Sequence, residues 1–431
     1  MKEAFLRSLR FSRRMLSHLL CLRFRAAARE LRAALRRLRL TLQARAGARK
    51  LRAELAGRIA LRRVIVFPPT IDWHLPLYQR PQQLARAYSE KENTLVLYLT
   101  ANSTHDRVAV AEKLGEALFL VNAALAHELR VLLRTSAETI LSLSWTANRR
   151  YVELLQPDSL IYEYIDELEI FDGYGDAMRR DHLALLRRAD LTVCTARALY
   201  DKARPLARRA IYSPNAGDYV FFSKTDFAPP APEAAESAAR FRFTLGYYGA
   251  LASWFDYALI ASAADARPDW LFLLVGMDYD GSLPQSGLPR RENVLWIPAQ
   301  PYARLPSFLR LFDLALIPFV LSGVTRATSP VKLFEYMAAE KPILCSAMPE
   351  CLRYKSVETY ADAADFLQKA EELLARRDDP SLKAALRREA LENTWQARTD
   401  EILEELKKAK RAGEVSLPLP ARKMRKAVTD P

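Results

Sequence analysis

The sequence predicts an α/β protein made of two doubly wound domains, and three observations support this fold class. The chain has 431 residues, which is long enough for two hydrophobic cores. Short apolar segments alternate with helical patterns, which is typical of a parallel sheet covered by helices on both faces. A stretch rich in Pro, Ala and Glu, from Ser223 to Arg240, separates two such regions and predicts an interdomain linker.

The first domain is predicted to begin at residue 63 and to contain six strands. Their apolar segments are Val64–Phe67, Thr94–Leu99, Ala117–Val121, Arg130–Leu133, Ser159–Tyr164 and Leu191–Cys194. Helical patterns lie between several of them, notably at residues 176–189 and 196–204. Ligands of such sheets bind outside the carboxyl ends of the strands, so the loops that follow these segments are where we expect functional side chains.

The second domain follows the linker with the same alternation. Its predicted strands are Arg242–Tyr248, Trp270–Val275, Val294–Ile297, Leu314–Pro318 and Ile343–Cys345. Its predicted helices cover residues 255–266, 302–312, 361–375 and 384–410, together with a short helix that begins near Val331. The tail after Gly413 contains three prolines and several basic residues, a composition typical of disorder.

The positive charge of the protein is confined to its N-terminal segment. The net charge is +14, but residues 1–63 hold 19 Lys and Arg against three Asp and Glu, while the remaining chain is close to neutral. Leucines recur at spacings of three and four, as at Leu31, Leu35, Leu38 and Leu42. Residues 1–62 are therefore predicted to form a basic amphipathic helical arm.

Several partners suit such an arm, and the sequence leaves the choice open. It could lie on an anionic membrane surface, with basic groups at the headgroups and leucines beneath them. It could instead form a coiled coil or bind a protein partner, or be a merely solvated arm. Nucleic acid is not expected, because no nucleic-acid-binding module accompanies the basic segment.

The composition indicates a cytoplasmic protein. The four cysteines, Cys21, Cys194, Cys345 and Cys351, have no spacing typical of a zinc site or a disulfide framework, so we expect reduced, buried thiols and no bound metal. No apolar stretch is long enough to span a bilayer. The apolar segment Met15–Cys21 is short for the core of a signal peptide and is followed by arginines where a cleavage site should be. Secretion is therefore not expected.

A short segment, residues 329–345, contains the strongest candidate for a binding site. Ser329 is a suitable N-cap, and Pro330 suits the first position of a helix that ends before Pro342. Lys332 and Glu335 lie three residues apart and project from one face. A cation beside a helix N-terminus suits a diphosphate, and a carboxylate one turn further suits the two vicinal hydroxyls of a ribose. A plain surface ion pair is the alternative.

The segment SPVKLFEYMAAEKP resembles the nucleotide-binding helix of glycosyltransferase family 4 and related GT-B enzymes. Further segments resemble the family in the same order: WHLPLYQRPQQLA, IYEYIDE, ADLTVCTA, SPNAGD, GYYGALASWFDYALI and FLLVG. The resemblance covers residues 64 to about 405 and is closest to enzymes of bacterial capsule, wall or lipid-linked polysaccharide synthesis. It implies the GT-B fold, in which two Rossmann-like domains are joined by a C-terminal crossover helix.

The resemblance implies a donor site in the second domain. Glu335 would hold the ribose of a nucleotide-diphosphate sugar, and Lys332 its diphosphate. The turn from Gly246 to Gly249 would let the backbone approach the phosphates. Ser329, Pro330 and Arg326 would complete the donor site. The family usually carries a second glutamate eight positions before Glu335, where this chain has Ala327.

The acceptor side is expected in the first domain. Asp166 follows the predicted strand Ser159–Tyr164, where a carboxylate could accept the proton of the acceptor hydroxyl; a capping role is the alternative. Trp73, His74 and Arg80 in the first loop could bind a sugar or phosphate, or could have structural roles. Asn215 and Asp218 are expected near the hinge between the domains.

The sequence therefore predicts a glycosyltransferase that uses a nucleotide-diphosphate sugar as co-substrate, with no bound cofactor or metal. The resemblance implies retention of the anomeric configuration. The expected domains are the arm (1–62), the acceptor domain (63–222), the linker (223–240), the donor domain (241–392), the crossover helix (393–412) and the tail (413–431). The expected location is the cytoplasm, including the inner face of the membrane. The alternatives are an inactive scaffold of a polysaccharide assembly complex, favoured by Ala327, and a GT-B epimerase.

Overall fold

The computed structural model describes residues 31–416 apart from residues 33, 45, 77 and 172, with the side chains of 412–416 also outside the description. The predictions for residues 1–30 and for most of the tail lie outside these residues. Two separate sheets with helices on both faces form the described part of the chain. The predicted α/β class with two doubly wound domains is thereby confirmed.

The N-terminal sheet has eight strands in the order β3-β4-β2-β1-β5-β6-β7-β8. All neighbouring strands are parallel except β3 and β4, which pair antiparallel at one edge. The strands are β1 Arg63–Phe67, β2 Thr94–Thr100, β3 Ala111–Gly115, β4 Leu118–Asn122, β5 Glu138–Leu143, β6 Ser159–Tyr164, β7 Leu191–Cys194 and β8 Ala210–Tyr212. Strands β2, β4, β6 and β7 are buried along their whole length, and β1 and β5 are buried except at their first residue, because helices cover both faces.

The C-terminal sheet has six parallel strands in the order β11-β10-β9-β12-β13-β14. They are β9 Phe243–Tyr248, β10 Trp270–Val275, β11 Val294–Ile297, β12 Leu314–Ile317, β13 Ile343–Ser346 and β14 Glu358–Tyr360. The strand β9 lies centrally, and the chain order reverses beside it. In such sheets the crevice at this switch point binds ligands.

The helices alternate with these strands. Those of the first half are α1 (34–44), α2 Ala48–Ile59, α3 Arg80–Ser89, α4 Ala126–Leu133, α5 Arg150–Leu155, α6 Asp176–Arg188, α7 Arg197–Ala203 and α8 Tyr219–Phe222. Those of the second half are α9 Pro232–Arg240, α10 Tyr257–Ala266, α11 Ser282–Gln285, α12 Leu305–Leu309, α13 Gly323–Arg326, α14 Val331–Ala338, α15 Ala363–Ala375, α16 Pro380–Glu392 and α17 Trp395–Ser416. Short 3₁₀ turns occupy Ala123–Leu125, Thr146–Arg149, Leu168–Ile170, Leu288–Arg290 and Tyr302–Arg304.

Helix α17 returns from the second domain to the first. It packs against α3 and β7, and its buried side chains belong to the apolar cluster that also contains residues of β1 and α3. The members contributed by α17 are Trp395, Ile402, Leu403 and Leu406. This is the crossover helix that the GT-B resemblance implied. Two residues, Asn393 and Thr394, separate it from α16, so the single helical pattern predicted for residues 384–410 is two helices.

The N-terminal arm has two parts with different environments. In α2, Leu51, Leu55 and Ile59 are fully buried in the core of the first domain. In α1 and at Leu31, three residues before it, the leucine side chains face solvent: Leu31, Leu35, Leu38 and Leu42 are 56–61% exposed. Among the described residues, no helix is both long and apolar enough to cross a bilayer.

Two local predictions were wrong. Arg130–Leu133 is not a strand but the last turn of α4, which buries Leu129, Leu132 and Leu133 at helical spacing. The strand in this region is β5, with the sequence ETILSL. It was not predicted, because its polar residues interrupt the apolar pattern. The end of the expected linker also has structure, because Pro232–Arg240 forms α9 and packs Ala234 against the second core.

Candidate active site

Helix α14 begins at the interface between the two domains. Its N-cap is Pro330 rather than the predicted Ser329. Ser329 instead binds Asn215 of the first domain. The Ser329 hydroxyl accepts a hydrogen bond from the Asn215 backbone N–H at 3.1 Å, and the Ser329 backbone carbonyl accepts one from Asn215 Nδ2 at 2.6 Å. The hinge residue Asn215 therefore fixes the position of the α14 N-terminus relative to the first domain.

Lys332 lies at the first turn of α14, and aromatic rings surround its ammonium group. Nζ is 5.1 Å from the centroid of the Tyr247 ring and 4.9 Å from that of Phe319. Removal from water lowers the pKa of Lys332 to about 8, although the nearby Glu335 carboxylate opposes this shift. A cation with little water around it, beside a helix N-terminus, is well suited to bind an anion.

Glu335 is 3% exposed, and both of its carboxylate oxygens accept hydrogen bonds from tyrosines. Tyr248 donates to Oε2 at 2.7 Å, and Tyr302 donates to Oε1 at 3.2 Å. Burial raises the pKa of Glu335 to about 7, while these hydrogen bonds and the charge of Lys332 oppose the shift. The carboxylate is thus held in one orientation by two phenol groups.

The two glycines of the predicted phosphate turn have different roles. Gly249 has φ +139°, and a Cβ there would lie 3.0 Å from Lys332 Cε, so glycine allows the lysine to pack against the turn. Gly246 lies inside β9. A Cβ at Gly246 would be 2.1 Å from the ring of Phe312, which indicates a packing role rather than the predicted contact with donor phosphates.

The remaining predicted donor residues surround the start of α14. Arg326 ends α13 and is exposed, whereas Ala327, at the position of the family's second glutamate, is buried. Pro330 is also buried. Of the predicted donor residues Arg326, Ser329 and Pro330, Arg326 is the exposed one, and the other two are buried.

Asp166 follows β6, at the carboxyl edge of the N-terminal sheet, and is partly buried. Its surroundings exclude enough water to raise the pKa of Asp166 to about 7. A carboxylate with such a pKa changes protonation state near neutrality and can accept a proton there. The role of Asp166 as a base stays a prediction.

The other predicted acceptor residues are structural in part. Trp73 is 7% exposed, and its ring packs edge-on against Tyr78 and Tyr98. The backbone N–H groups of Trp73 and His74 donate to Asp106 at 2.9 Å. The His74 side chain is 44% exposed and lies 3.2 Å from Glu112. His74 is thus the more accessible of the two.

Arg80 is buried in the first domain and paired with Glu163. Nε donates to Glu163 Oε2 at 2.8 Å, and Nη1 donates to the Pro214 carbonyl at 3.1 Å; the two side chains are 3% and 2% exposed. The guanidinium also lies over the Trp395 ring, 5.9 Å from its centroid. Arg80 therefore connects β6, the hinge and the crossover helix, which favours a structural role over the predicted acceptor contact.

Sequence reasoning missed the tyrosines of the site and their partner in the first domain. Tyr248 lies inside the GYYG segment, but the phosphate-binding prediction for this segment concerned only its two glycines. Tyr302 and Gln83 are 219 residues apart, and nothing in the local pattern of either predicts that they meet.

Comparisons with known proteins agree with this architecture. Residues 257–404, about a third of the chain, match the family model described as "Glycosyl transferase-like". The chain is 30% identical over 224 residues to the "Putative teichuronic acid biosynthesis glycosyltransferase TuaH" of Bacillus subtilis (strain 168), an alignment that covers 49% of this chain. It spans 55% of the length of that relative.

Solved structures resemble the chain over most of its length. Sucrose-phosphate synthase from Thermosynechococcus elongatus superimposes with a TM-score of 0.60 and 12% identity, covering 81% of this chain and all of that one. Anabaena HepE in complex with UDP and glucose gives a TM-score of 0.53 and 12% identity, covering 80% and 100%. The chain has the GT-B fold, and its second half carries a glycosyltransferase-like domain. The resemblance to GT-B glycosyltransferases is confirmed at this level; features specific to family 4 remain predictions.

The structural role of Arg80 leads to a prediction about stability. Arg80→Leu leaves the charge of Glu163 buried without its partner, so we expect the free energy of unfolding to fall by about 3–5 kcal/mol. Urea unfolding of the full chain measures this. Arg149→Leu, which breaks the exposed Arg149–Asp181 pair, is the control and should cost under about 1 kcal/mol. Unchanged stability in Arg80→Leu with a raised KM for acceptor would instead support the predicted acceptor contact.

Proposed function

We propose that the protein is a glycosyltransferase that moves a sugar from a nucleotide-diphosphate sugar to a hydroxyl of a glycan or lipid-linked acceptor in polysaccharide synthesis. The observation that carries this proposal is the pair Lys332 and Glu335 at the start of α14. Glu335 is buried and Lys332 is half-buried, and both lie at the interface of two Rossmann-like domains within the region that matches the glycosyltransferase-like model.

The donor diphosphate would bind against the N-terminus of α14. The free N–H groups of the first turn and the Lys332 ammonium provide positive charge there. As the bond between the sugar and the diphosphate breaks, negative charge grows on the leaving oxygen. A fixed cation in a site with little water stabilises this charge more than the ground state. We propose that Lys332, rather than a resident metal, supplies most of this stabilisation.

Glu335 would position the nucleoside by accepting hydrogen bonds from the two ribose hydroxyls. Asp166 would accept the proton of the acceptor hydroxyl as the new glycosidic bond forms. Departure and attack on the same face of the sugar would retain the anomeric configuration and require no enzyme nucleophile. The similarity to the HepE complex with UDP and glucose supports a nucleotide-sugar donor, and the similarity to the putative teichuronic acid biosynthesis glycosyltransferase TuaH supports a role in polysaccharide synthesis.

An inactive scaffold is the second candidate function. Two observations favour it: Ala327 stands where the family usually has a glutamate, and Glu335 is 3% exposed. An active enzyme must therefore expose Glu335 during its cycle, whereas a scaffold need not. Donor hydrolysis or transfer by the purified chain distinguishes the two.

We also propose that the arm binds an anionic membrane surface. The four leucines of residues 31–42 form an exposed apolar stripe. Residues 31–53 contain eight Lys and Arg and no acidic residue. An apolar stripe beside such a basic segment is complementary to anionic headgroups over acyl chains. A coiled-coil partner would match the leucines but not the unbroken positive charge.

The donor site predicts the effects of two substitutions. Lys332→Ala should lower kcat by about 10²–10³-fold, because a charge contact in the transition state is lost. Glu335→Ala should weaken nucleoside-diphosphate binding by about 10–100-fold, because hydrogen bonds to a charged group are lost. Steady-state kinetics and calorimetry measure these effects. Lys355→Ala, an exposed lysine of the same domain, is the control; equal behaviour of all three variants would support the scaffold.

The raised pKa of Asp166 predicts the pH dependence of kcat. A base must be ionised, so kcat at saturating donor should be low below pH 7 and rise through about pH 7. The pKa of Lys332 is about 8 without ligand, and a bound diphosphate raises it, so any fall in kcat from loss of this charge should appear only at higher pH. Asp166→Asn should remove this rise together with most of the activity. The pH dependence of kcat should be measured rather than that of kcat/KM. The value of kcat/KM also depends on the ionisation of Glu335 in the free enzyme, whose pKa is raised to about 7. A rise that persists in Asp166→Asn would assign it to another group.

The arm predicts a difference between vesicle types. The full chain should pellet with phosphatidylglycerol vesicles and much less with phosphatidylcholine vesicles. Leu35→Ser/Leu38→Ser/Leu42→Ser should weaken the pelleting by tenfold or more, because each leucine loses about 1.5–3 kcal/mol of apolar burial at most. The control, Leu206→Ser/Leu352→Ser/Leu391→Ser, changes three leucines that are 41–59% exposed elsewhere. Equal pelleting of both triple variants would contradict the proposal, and a leucine-dependent change in oligomeric state would indicate a protein partner.

A further inference from the structure

We infer that Tyr302 and Gln83 form a latch between the two domains that must open before a nucleoside diphosphate reaches Glu335. The inference rests on the proposed function and adds a gating step to the same site. It is carried by three observations: how Glu335 is covered, which covering residue is able to move, and what holds that residue in place.

Glu335 is covered on the side from which a ribose would come. Its exposed fraction of 3% leaves no room for a sugar ring, and each carboxylate oxygen already accepts a hydrogen bond from a phenol group. A ribose would offer the same kind of donor, a hydroxyl group. A carboxylate oxygen can accept a second hydrogen bond, but because Glu335 is 3% exposed, a ribose hydroxyl can reach it only after one of the covering tyrosines moves.

Tyr248 is fixed by the core of the second domain. It lies in β9, next to the central crevice, and its backbone N–H donates to the Tyr336 hydroxyl at 3.1 Å. Its ring packs edge-on against Tyr336 at 5.0 Å and stacks on Phe222 at 6.4 Å. Moving this side chain would disrupt a buried strand and the aromatic packing around it, so Tyr248 remains in place.

Tyr302 is held mainly by contacts outside its own sheet. It begins the 3₁₀ turn Tyr302–Arg304, which follows the edge strand β11. Its hydroxyl accepts a hydrogen bond from Gln83 Nε2 at 2.8 Å. Its ring stacks on Tyr78 with centroids 4.9 Å apart and on Phe221 at 5.5 Å, and it packs edge-on against Phe222 at 5.6 Å. Phe221 and Phe222 pack with the second core, so Tyr78 and Gln83 are the contacts that domain separation would remove. A short turn at a sheet edge can shift at lower cost than a central strand.

The first domain therefore keeps Tyr302 on Glu335. Gln83 lies in α3, and Tyr78 precedes this helix; both belong to the first domain, whereas Tyr302 and Glu335 belong to the second. Separation of the domains removes the Gln83 hydrogen bond and the Tyr78 stack together. Tyr302 can then swing away and leave Oε1 of Glu335 free for a ribose hydroxyl.

A latch of this kind lowers the apparent affinity for the donor. The observed Kd is the Kd of the open form divided by the fraction of molecules that are open. Weakening the latch raises that fraction, so it should tighten nucleotide binding. By linkage, a bound nucleotide must loosen the contact between Gln83 and Tyr302 to the same extent.

The test is the binding of UDP, GDP, ADP and CDP to the full chain by titration calorimetry. Gln83→Leu keeps the size of the side chain and removes the hydrogen bond to Tyr302, so the nucleotide that binds the wild type should bind about 3- to 10-fold more tightly. Tyr302→Phe removes the hydroxyl and keeps the ring, and should shift Kd in the same direction. Gln285→Leu, an exposed glutamine of α11, is the control and should leave Kd unchanged.

The outcomes separate the latch from the proposed function. Weaker binding in Tyr302→Phe would make Tyr302 a ligand of the donor and would overturn the latch. Unchanged Kd in both variants, each folded by circular dichroism, would overturn it as well. Failure of the wild type and of both variants to bind any of the four nucleotides would count against the proposed function itself.

Discussion

The exclusion of water from Lys332 and Glu335 is the constraint on which the rest of this structure depends. Two opposite charges in a poorly solvated place are costly unless other groups replace the lost water. Here the faces of Tyr247 and Phe319 contact the ammonium, and two phenol groups bind the carboxylate. All four of these aromatic residues belong to the second domain, and the first domain acts on the site through Gln83 and Tyr78, which contact Tyr302. The position of the first domain therefore affects how Glu335 is covered.

One group of contacts between the domains lies around the start of α14 and the segment that contains Asn215 and Gly217. Asn215 binds Ser329. Gly217 lies so close to the backbone of Phe334 that a Cβ would be 3.0 Å from its carbonyl carbon. The Gly217 N–H donates to the Asn393 carbonyl at 3.0 Å, where α16 ends and α17 has not yet begun. The hinge segment, the donor helix and the crossover helix therefore meet at one place.

The sequence predicted the parts of the molecule whose physics is local. Uninterrupted apolar segments such as β2 and β10 revealed the sheets, and the three-residue spacing of Lys332 and Glu335 placed both on one face of a helix. Strand β5 was not predicted, because its Glu, Thr and Ser residues interrupt the apolar pattern. The sequence left both a binding role and a structural role open for Arg80, because its partner Glu163 lies 83 residues later in a strand. The cover of Glu335 was equally hidden, since Gln83 and Tyr302 meet only through the packing of two domains.

The position of α2 has a consequence for how the molecule would sit on a lipid bilayer. Because Leu51, Leu55 and Ile59 are built into the first domain, the leucine face of α1 is attached to a rigid body by the few residues around Gly47 rather than by a long tether. If α1 lies on a bilayer as proposed, the cleft between the two domains would have a fixed height and tilt above the headgroups. Substrates would then be selected by how far their reactive end projects from the bilayer as well as by their chemistry.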